Sequence, residues 1–121
     1  MSKKTLVIGA STNPTRYSNM ATHKLLEHKH EVELLGKQSG EVAGHTIKQS
    51  TGELSADFHT VTLYINSERQ IEYFDYLVAL HPQRVIFNPG TENPSLKLLL
   101  EKNGIQTLEA CTLVLLATGQ F

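Results

Sequence analysis

The stretch Lys4–Pro14, KTLVIGASTNP, decides how the rest of this chain is interpreted. Its first part, Thr5–Ile8, is a short continuous apolar run, which is typical of a strand covered on both faces. The small and polar residues after it predict a tight turn, and a helix pattern begins at about Ser18. A strand, a turn and a helix start form an anion site, because the first N–H groups of a helix have no partner inside it.

Size and composition narrow the class of protein. The chain has 121 residues, a formal net charge of -1 and 40% hydrophobic residues, which predicts one globular domain over residues 1–121. The scattered lysines form no basic stripe, so we expect no nucleic-acid binding. The apolar runs are too short for a signal peptide or a membrane span. Because Cys111 is the single cysteine, no internal disulfide is expected, and we predict a cytoplasmic protein without membrane contact.

Strand and helix patterns alternate about five times along the chain. The predicted strands are Thr5–Ile8, Glu31–Leu35, Thr60–Ile65, Arg84–Phe87 and Ile105–Leu108. The predicted helices run from Ser18 to about His28, from Asn66 or Ser67 to His81, from Asn93-Pro94 to Gly104, and from Cys111 to about Thr118. Residues 41–51 are interpreted as a loop with a short extended piece at His45–Ile47. This alternation predicts an α/β, Rossmann-like doubly wound fold: five parallel strands between two helical layers, three layers in all.

The carboxyl ends of four predicted strands are polar or glycine-rich. They carry Gly9–Ser11, Gly36-Lys37, Asn66-Ser67 and Asn88–Gly90. Such residues are also good turn formers. In doubly wound sheets, however, ligands bind outside this edge, where the strand order reverses. Four such loops together favour a common binding crevice.

The first loop does not match the dinucleotide fingerprint G-x-G-x-x-G, because Ser11 stands at the second glycine position. The second strand ends in Lys37 rather than in the acidic residue that holds a ribose 2′-hydroxyl, and a lysine there suits a phosphate on the adenosine ribose. Arg16 is another phosphate candidate, because a guanidinium matches phosphate oxygens. The alternative for both residues is an ordinary solvated surface cation.

Signals for catalysis are weak. Ser11 is not in a G-x-S-x-G elbow. Cys111 is either a thiol activated at a helix start or, more commonly, a small buried apolar residue. The six histidines form no set with metal-ligand spacing. We therefore predict no catalytic residues and no metal site.

Six segments carry a family resemblance over nearly the whole chain. They are Val7–Pro14, Arg16-Tyr17, Gly36-Lys37, Val61–Asn66, Val85–Asn93 and Glu109–Thr112. In order and spacing they resemble the small stand-alone CoA-binding proteins, whose domain is similar to the N-terminal CoA-binding domain of the succinyl-CoA synthetase alpha subunit. The synthetase's phosphohistidine domain and partner subunit have no counterpart here, so the resemblance does not imply ligase activity.

The resemblance implies a site for CoA or an acyl-CoA at the strand ends. Its implied residues are a first phosphate loop of Gly9, Ser11, Asn13 and Arg16, with Tyr17 beside it; Lys37 at the adenosine phosphates; Tyr64 and Asn66 on the nucleotide side; and Asn88 with Gly90 closing the crevice. Three hypotheses follow. The first is a CoA or acyl-CoA binding protein without catalytic machinery. The second is a Rossmann-type enzyme subunit that uses NADP or another nucleotide, and the third is an interaction module with a vestigial crevice.

Overall fold

The computed structural model describes residues 2–121 as a seven-stranded sheet with helices on both faces. The strands are β1 (Thr5–Ile8), β2 (Val32–Leu35), β3 (Glu41–Val42), β4 (His45–Lys48), β5 (Thr60–Leu63), β6 (Arg84–Phe87) and β7 (Gln106–Glu109). The helices are α1 (Tyr17–Glu27), α2 (Ser67–Gln70), α3 (Phe74–Leu80), α4 (Pro94–Lys102) and α5 (Thr112–Ala117), with 3₁₀ turns at Thr51–Glu53 and Ile71–Tyr73. Within residues 2–121, no helix has the length and apolar character needed to cross a membrane.

The strand order is β3-β4-β2-β1-β5-β6-β7, with β1 in the interior of the sheet. Thr5 pairs with Val32 of β2 on one side and with Thr60 of β5 on the other, both in parallel register. After β1, the chain forms β2, β3 and β4 on one side of β1, and it then crosses to the other side of β1 to form β5. The predicted α/β, doubly wound organisation is therefore confirmed, and the strand order reverses between β1 and β5, which is where such sheets bind ligands.

The prediction of five parallel strands is wrong. The extended piece predicted at His45–Ile47 is confirmed as β4, which adds to β2 in parallel register. The loop expected around it also contains β3, which pairs with β4 in antiparallel register. Their turn, Ala43-Gly44, has positive φ at both residues, 51° and 83°. A two-residue hairpin turn of this kind usually carries Asn-Gly or Asp-Gly. Alanine at the first position, beside a strand of only two residues, removes that sequence signal.

Each face of the sheet has its own apolar core. One core joins the sheet to α3 and α4 through Leu77, Leu96 and Leu100. The other joins it to α1 and α5 through Leu25 and Leu116. All five leucines are buried, so the sheet lies between two helical layers, as predicted.

Local capping signals fix where the helices begin and end. The side chain of Asn93 accepts a hydrogen bond from the N–H of Leu96 at 3.2 Å, and Pro94 is the first residue of α4. Gly104 follows the helix in the left-handed region at φ 79°. These two predictions are confirmed. Of the two candidates for the start of α2, Asn66 is the cap, because its Oδ1 accepts the N–H of Arg69 at 2.9 Å. The helix predicted from there to His81 is interrupted by the 3₁₀ turn between α2 and α3.

Candidate functional site

A cleft of about 470 Å³ opens at the carboxyl ends of β1, β2, β5 and β6, and we call it the main cleft. Four loops and the starts of two helices line it. The lining residues are Gly9, Ala10, Ser11, Thr12, Arg16, Tyr17, Ser18, Lys37, Gln38, Ile47, Tyr64, Ile65, Asn66, Arg69, Pro89, Gly90 and Thr91. Its position beside the reversal of strand order is the one expected for a ligand site in this architecture.

Two glycines let the loops under the main cleft approach each other closely. Gly9 has φ 96°, and a Cβ there would lie 2.9 Å from the backbone C and O of Tyr64. A Cβ on Gly36 would lie 2.6 Å from the carbonyl oxygen of Ala10. Both contacts are shorter than van der Waals packing allows, and both involve backbone that cannot rotate away. The ends of β1, β2 and β5 are therefore joined backbone to backbone.

The start of α1 faces the main cleft without a cap. Its N-cap residue, Arg16, makes no capping hydrogen bond through its side chain. Tyr17 and Ser18 begin the helix and line the cleft, and no acceptor among residues 2–121 meets their main-chain N–H groups. The N–H groups of Ser11 and Thr12 are likewise not engaged within the described chain. Unpartnered amides at a helix start favour a bound anion, because the helix dipole adds to their donor character.

Three cations line the main cleft, and none of the lining residues is an aspartate or a glutamate. They are Arg16 at the start of α1, Lys37 after β2, and Arg69 in α2. Within residues 2–121 the ion pairs involve other lysines and leave these three side chains without a carboxylate. The Nε of Arg69 is buried and makes no hydrogen bond. The cleft therefore has the charge of a site for a ligand with several negative charges.

A buried amide network holds two of the loops together. Gln70 is fully buried, and its Nε2 donates to the carbonyl oxygens of Ile65 at 2.9 Å and Thr91 at 2.7 Å. Its Oε1 accepts from the Nδ2 of Asn93 at 3.0 Å. The network thus ties the loop after β5 to the loop after β6 through the residue that follows Arg69.

Asn88 lies below the main cleft and its amide is committed to the protein. Its Nδ2 donates to Thr62 Oγ1 at 2.7 Å and to the carbonyl oxygen of Leu63 at 2.9 Å. Its Oδ1 accepts the N–H of Thr112, the first residue of α5, at 2.9 Å. Asn88 therefore joins β5, β6 and α5, and it retains little capacity to bond a ligand.

A second, smaller space of about 220 Å³ adjoins the main cleft, and we call it the annex pocket. It is lined by Tyr17, Tyr64, Asn88, Pro89 and Cys111. The Tyr64 hydroxyl is buried without a hydrogen-bond partner of good geometry, although the hydroxyls of Thr62 and Thr112 lie near it and bond each other at 2.8 Å. Burial raises the pKa of Tyr64 to about 12, so the hydroxyl stays protonated at neutral pH.

The structure brings eight of the ten predicted site residues to the main cleft. They are Gly9, Ser11, Arg16, Tyr17, Lys37, Tyr64, Asn66 and Gly90. Asn88 lies in the annex pocket instead. Asn13 does not line either space, because its Oδ1 accepts the N–H and hydroxyl of Thr15 and shapes the loop before α1. Among residues 2–121, no three His, Cys, Asp or Glu side chains are arranged to hold a metal ion.

Sequence reasoning missed Arg69 as a cleft residue. Arg69 lies near the start of the helix predicted from Asn66 or Ser67, and a charged residue on a helix normally faces solvent. The available signal is its position in the first turn after a strand end of the crevice, where an arginine can meet an anion. Thr91, whose carbonyl accepts a hydrogen bond from Gln70, was missed for another reason: its role depends on a contact with a residue 21 positions away in the sequence.

Comparisons with solved structures agree with this fold. An uncharacterised protein is 44% identical, with a TM-score of 0.96, and the match covers 100% of this chain and 99% of that one. A Thermus thermophilus protein is 21% identical, with a TM-score of 0.88 over 99% and 91% of the two chains. The dinucleotide-forming acetyl-coenzyme A synthetase 1 of Ca. Korarchaeum cryptofilum, in its apo form, is 14% identical with a TM-score of 0.74, over 89% of this chain and 26% of that enzyme.

The comparison with curated proteins finds no match. The comparison with protein families matches one model, described as a CoA binding domain, over residues 3–117. That match spans all seven strands and all five helices, including every residue that lines the main cleft and the annex pocket. The chain therefore belongs to the CoA-binding domain family.

Proposed function

We propose that this protein binds CoA or an acyl-CoA in the main cleft. The observation that carries the proposal is the charge of the cleft: Arg16, Lys37 and Arg69 line it, no carboxylate does, and the three cations have no ion-pair partner within residues 2–121. Unpartnered cations in a cleft favour a polyanionic ligand, because such a ligand supplies the missing charge-assisted hydrogen bonds. Membership of the CoA-binding domain family supports the same ligand.

The shape of CoA matches the two kinds of anion-binding group in the cleft. CoA carries a diphosphate and a separate ribose 3′-phosphate, so it needs an amide site and an additional cation. In the proposed complex, the diphosphate lies at the uncapped start of α1, near Ser11 and Arg16. The 3′-phosphate lies at Lys37, and the pantetheine arm extends toward Pro89 and Gly90. Arg69 approaches the phosphates from the opposite wall.

A second candidate is NADP, which Lys37 also favours. A lysine at the end of the second strand can hold a ribose 2′-phosphate as well as a 3′-phosphate. Ser11 at the second glycine position of the dinucleotide fingerprint is less favourable for this ligand, because that glycine lets the backbone approach the pyrophosphate.

The location of the protein in the cytoplasm stays a prediction from its single cysteine.

Isothermal titration calorimetry with CoA, dephospho-CoA and NADPH tests the proposal. Lys37 is exposed, so screening places its expected contribution at the low end for a charged hydrogen bond, and Lys37→Ala should weaken CoA about tenfold. The same substitution should affect dephospho-CoA much less, because that ligand lacks the 3′-phosphate. Lys102→Ala, at the exposed end of α4 and outside the cleft, is the matched control.

The outcomes separate the hypotheses. Equal losses for CoA and dephospho-CoA would remove Lys37 from the 3′-phosphate. Tighter binding of NADPH than of CoA would favour the second candidate. Wild-type protein that binds none of the three ligands would contradict the proposal and leave the interaction module as the remaining hypothesis.

A further inference from the structure

We propose that the annex pocket holds the acyl group of a short, uncharged acyl-CoA, so that the protein distinguishes such thioesters from free CoA. This inference rests on the proposed function, because it requires the nucleotide portion of the ligand to lie in the main cleft. It adds the class of acyl group and the place where that group binds.

The annex pocket is continuous with the main cleft. Tyr17, Tyr64 and Pro89 line both spaces. Of these three, Pro89 is the residue toward which the pantetheine arm extends in the proposed complex. A flexible arm that passes Pro89 therefore reaches the annex pocket without leaving the protein surface, and its terminal group is the part of the ligand that enters.

The chemistry of the annex pocket favours an uncharged, apolar group. Its walls are two aromatic side chains, a proline ring and the Cys111 thiol, and none of its lining residues is charged. The remaining residue, Asn88, uses its amide in three hydrogen bonds to the protein. A carboxylate on the acyl group, as in a dicarboxylic thioester, would meet no cation there and would lose its hydration. A methyl-terminated acyl chain has no charge that would lose its hydration, and it buries apolar surface in the pocket.

The volume of the annex pocket limits the length of the acyl chain that it can hold. A water molecule occupies ~30 Å³ of the liquid, so a space of about 220 Å³ holds only a few heavy atoms of ligand. An acyl group of roughly two to six carbons fits this space by the same measure. Longer chains must leave the pocket, so their additional methylenes contribute nothing.

Calorimetry with a series of acyl-CoA thioesters tests this assignment. From acetyl-CoA to butyryl-CoA, we expect affinity to rise about threefold to fourfold for each added methylene, the gain for burying a CH₂ group. The gain should stop for chains well beyond six carbons, and succinyl-CoA should bind more weakly than butyryl-CoA. An equal affinity for CoA and all thioesters would overturn the inference while leaving the proposed function intact. No binding of CoA or of any thioester would overturn both.

A pair of substitutions at Cys111 tests whether the acyl group binds in the annex pocket. Cys111→Leu adds two heavy atoms to the wall of the annex pocket, so the rise along the series should stop at shorter acyl chains than in the wild type, without a change in the affinity for CoA. Cys111→Ser keeps the size of the side chain and should preserve the rise. A rise that extends to the same acyl length in Cys111→Leu as in the wild type would overturn the placement of the acyl group.

A measurement on wild-type protein does not depend on the folding of any variant. Butyryl-CoA should slow alkylation of the Cys111 thiol by iodoacetamide, since its acyl group lies against that residue. Adenosine 3′,5′-bisphosphate, which lacks the pantetheine arm, should not slow it. Equal rates with both ligands at saturation would overturn the inference.

Discussion

Gly9→Ala tests whether the base of the main cleft depends on backbone contact between its loops. The new Cβ would require a residue other than glycine at φ 96°, and it would lie 2.9 Å from the C and O of Tyr64. The conformational term costs about 1–2 kcal/mol. Overpacking against backbone that cannot rotate costs about 1–3 kcal/mol more. The expected loss is therefore roughly 2–5 kcal/mol, or about 8–20 °C in Tm for a chain of this size.

Two other glycines separate the two terms. Gly44 has φ 83°, but a Cβ there would meet no atom within 4 Å, so Gly44→Ala should lose only the conformational term of about 1–2 kcal/mol. Gly36 does not have a positive φ, but a Cβ there would lie 2.6 Å from the carbonyl oxygen of Ala10. Gly36→Ala should therefore lower the free energy of unfolding by the overpacking contribution alone, about 1–3 kcal/mol. Urea denaturation of all three variants gives the comparison.

The loop contact at Gly9 also affects ligand binding in the proposed complex. If Gly9→Ala folds, the loop after β1 must move away from Tyr64, and this should weaken CoA binding because Ser11 and Arg16 move with it. Gly44→Ala lies in the β3–β4 turn and should bind CoA as the wild type does. A Gly9→Ala protein as stable as Gly44→Ala, with unchanged CoA affinity, would refute the account of the base of the cleft.

Three further predictions concern other parts of the molecule. Arg69→Gln should weaken CoA binding about tenfold or more in calorimetry, because it removes an unpartnered guanidinium from the cleft; an unchanged affinity would exclude Arg69 from the phosphate site. Asn93→Ala should lower the free energy of unfolding in urea by about 2–3 kcal/mol, since it removes both the cap of α4 and the hydrogen bond to buried Gln70; a loss below about 0.5 kcal/mol would contradict this. The pKa values of His30 and His59 are lowered. The largest cause is burial of the two rings, and positive charges nearby, including Lys3 and Arg84, add to it. Below about pH 6.5 the two histidines therefore bind protons more readily in the unfolded chain than in the folded protein. The free energy of unfolding should be at its full value above that pH and decrease as the pH falls toward 5. Chemical denaturation across this range checks it, and replacing both histidines by glutamine should flatten the profile.

The parts of the fold that were predictable are those coded by local patterns. Thr5–Ile8 and Val85–Phe87 are continuous apolar or β-branched runs, and the strands Thr5–Ile8 and Arg84–Phe87 have the predicted bounds. Asn93 followed by Pro94 is a capping signal that involves only neighbouring residues, and α4 begins there. Of the β3–β4 hairpin, only the extended piece at β4 was predicted. Its pairing was missed because it depends on addition to the edge of β2, outside the hairpin, and because Ala43 is an unusual residue for its turn.

The site was predictable in position but not in the role of each side chain. The topology alone places the strand-end loops at one edge, and the main cleft lies there. Which side chains remain available to a ligand depends on hydrogen bonds that no local pattern encodes. Asn13 and Asn88 have the right chemistry for a ligand, but Thr15 and Thr112 are among the partners that occupy them. Arg69 has an unremarkable sequence context, yet its Nε is left without a partner.

At Arg69, an unsatisfied donor therefore indicates a candidate ligand-binding group that residue type alone does not single out. A buried donor without a partner costs free energy, so it persists where something outside the chain satisfies it or where the chain offers an equivalent contact. Arg84 illustrates the second case: its Nη2 also has no hydrogen-bond partner, but its guanidinium lies 4.4 Å from the centre of the Phe121 ring, at the amino end of β6 and away from the cleft. Arg69 has no aromatic ring over it among the contacts of residues 2–121. Its guanidinium, the uncapped start of α1 and Lys37 face one space, and a phosphorylated ligand in that space would satisfy all three.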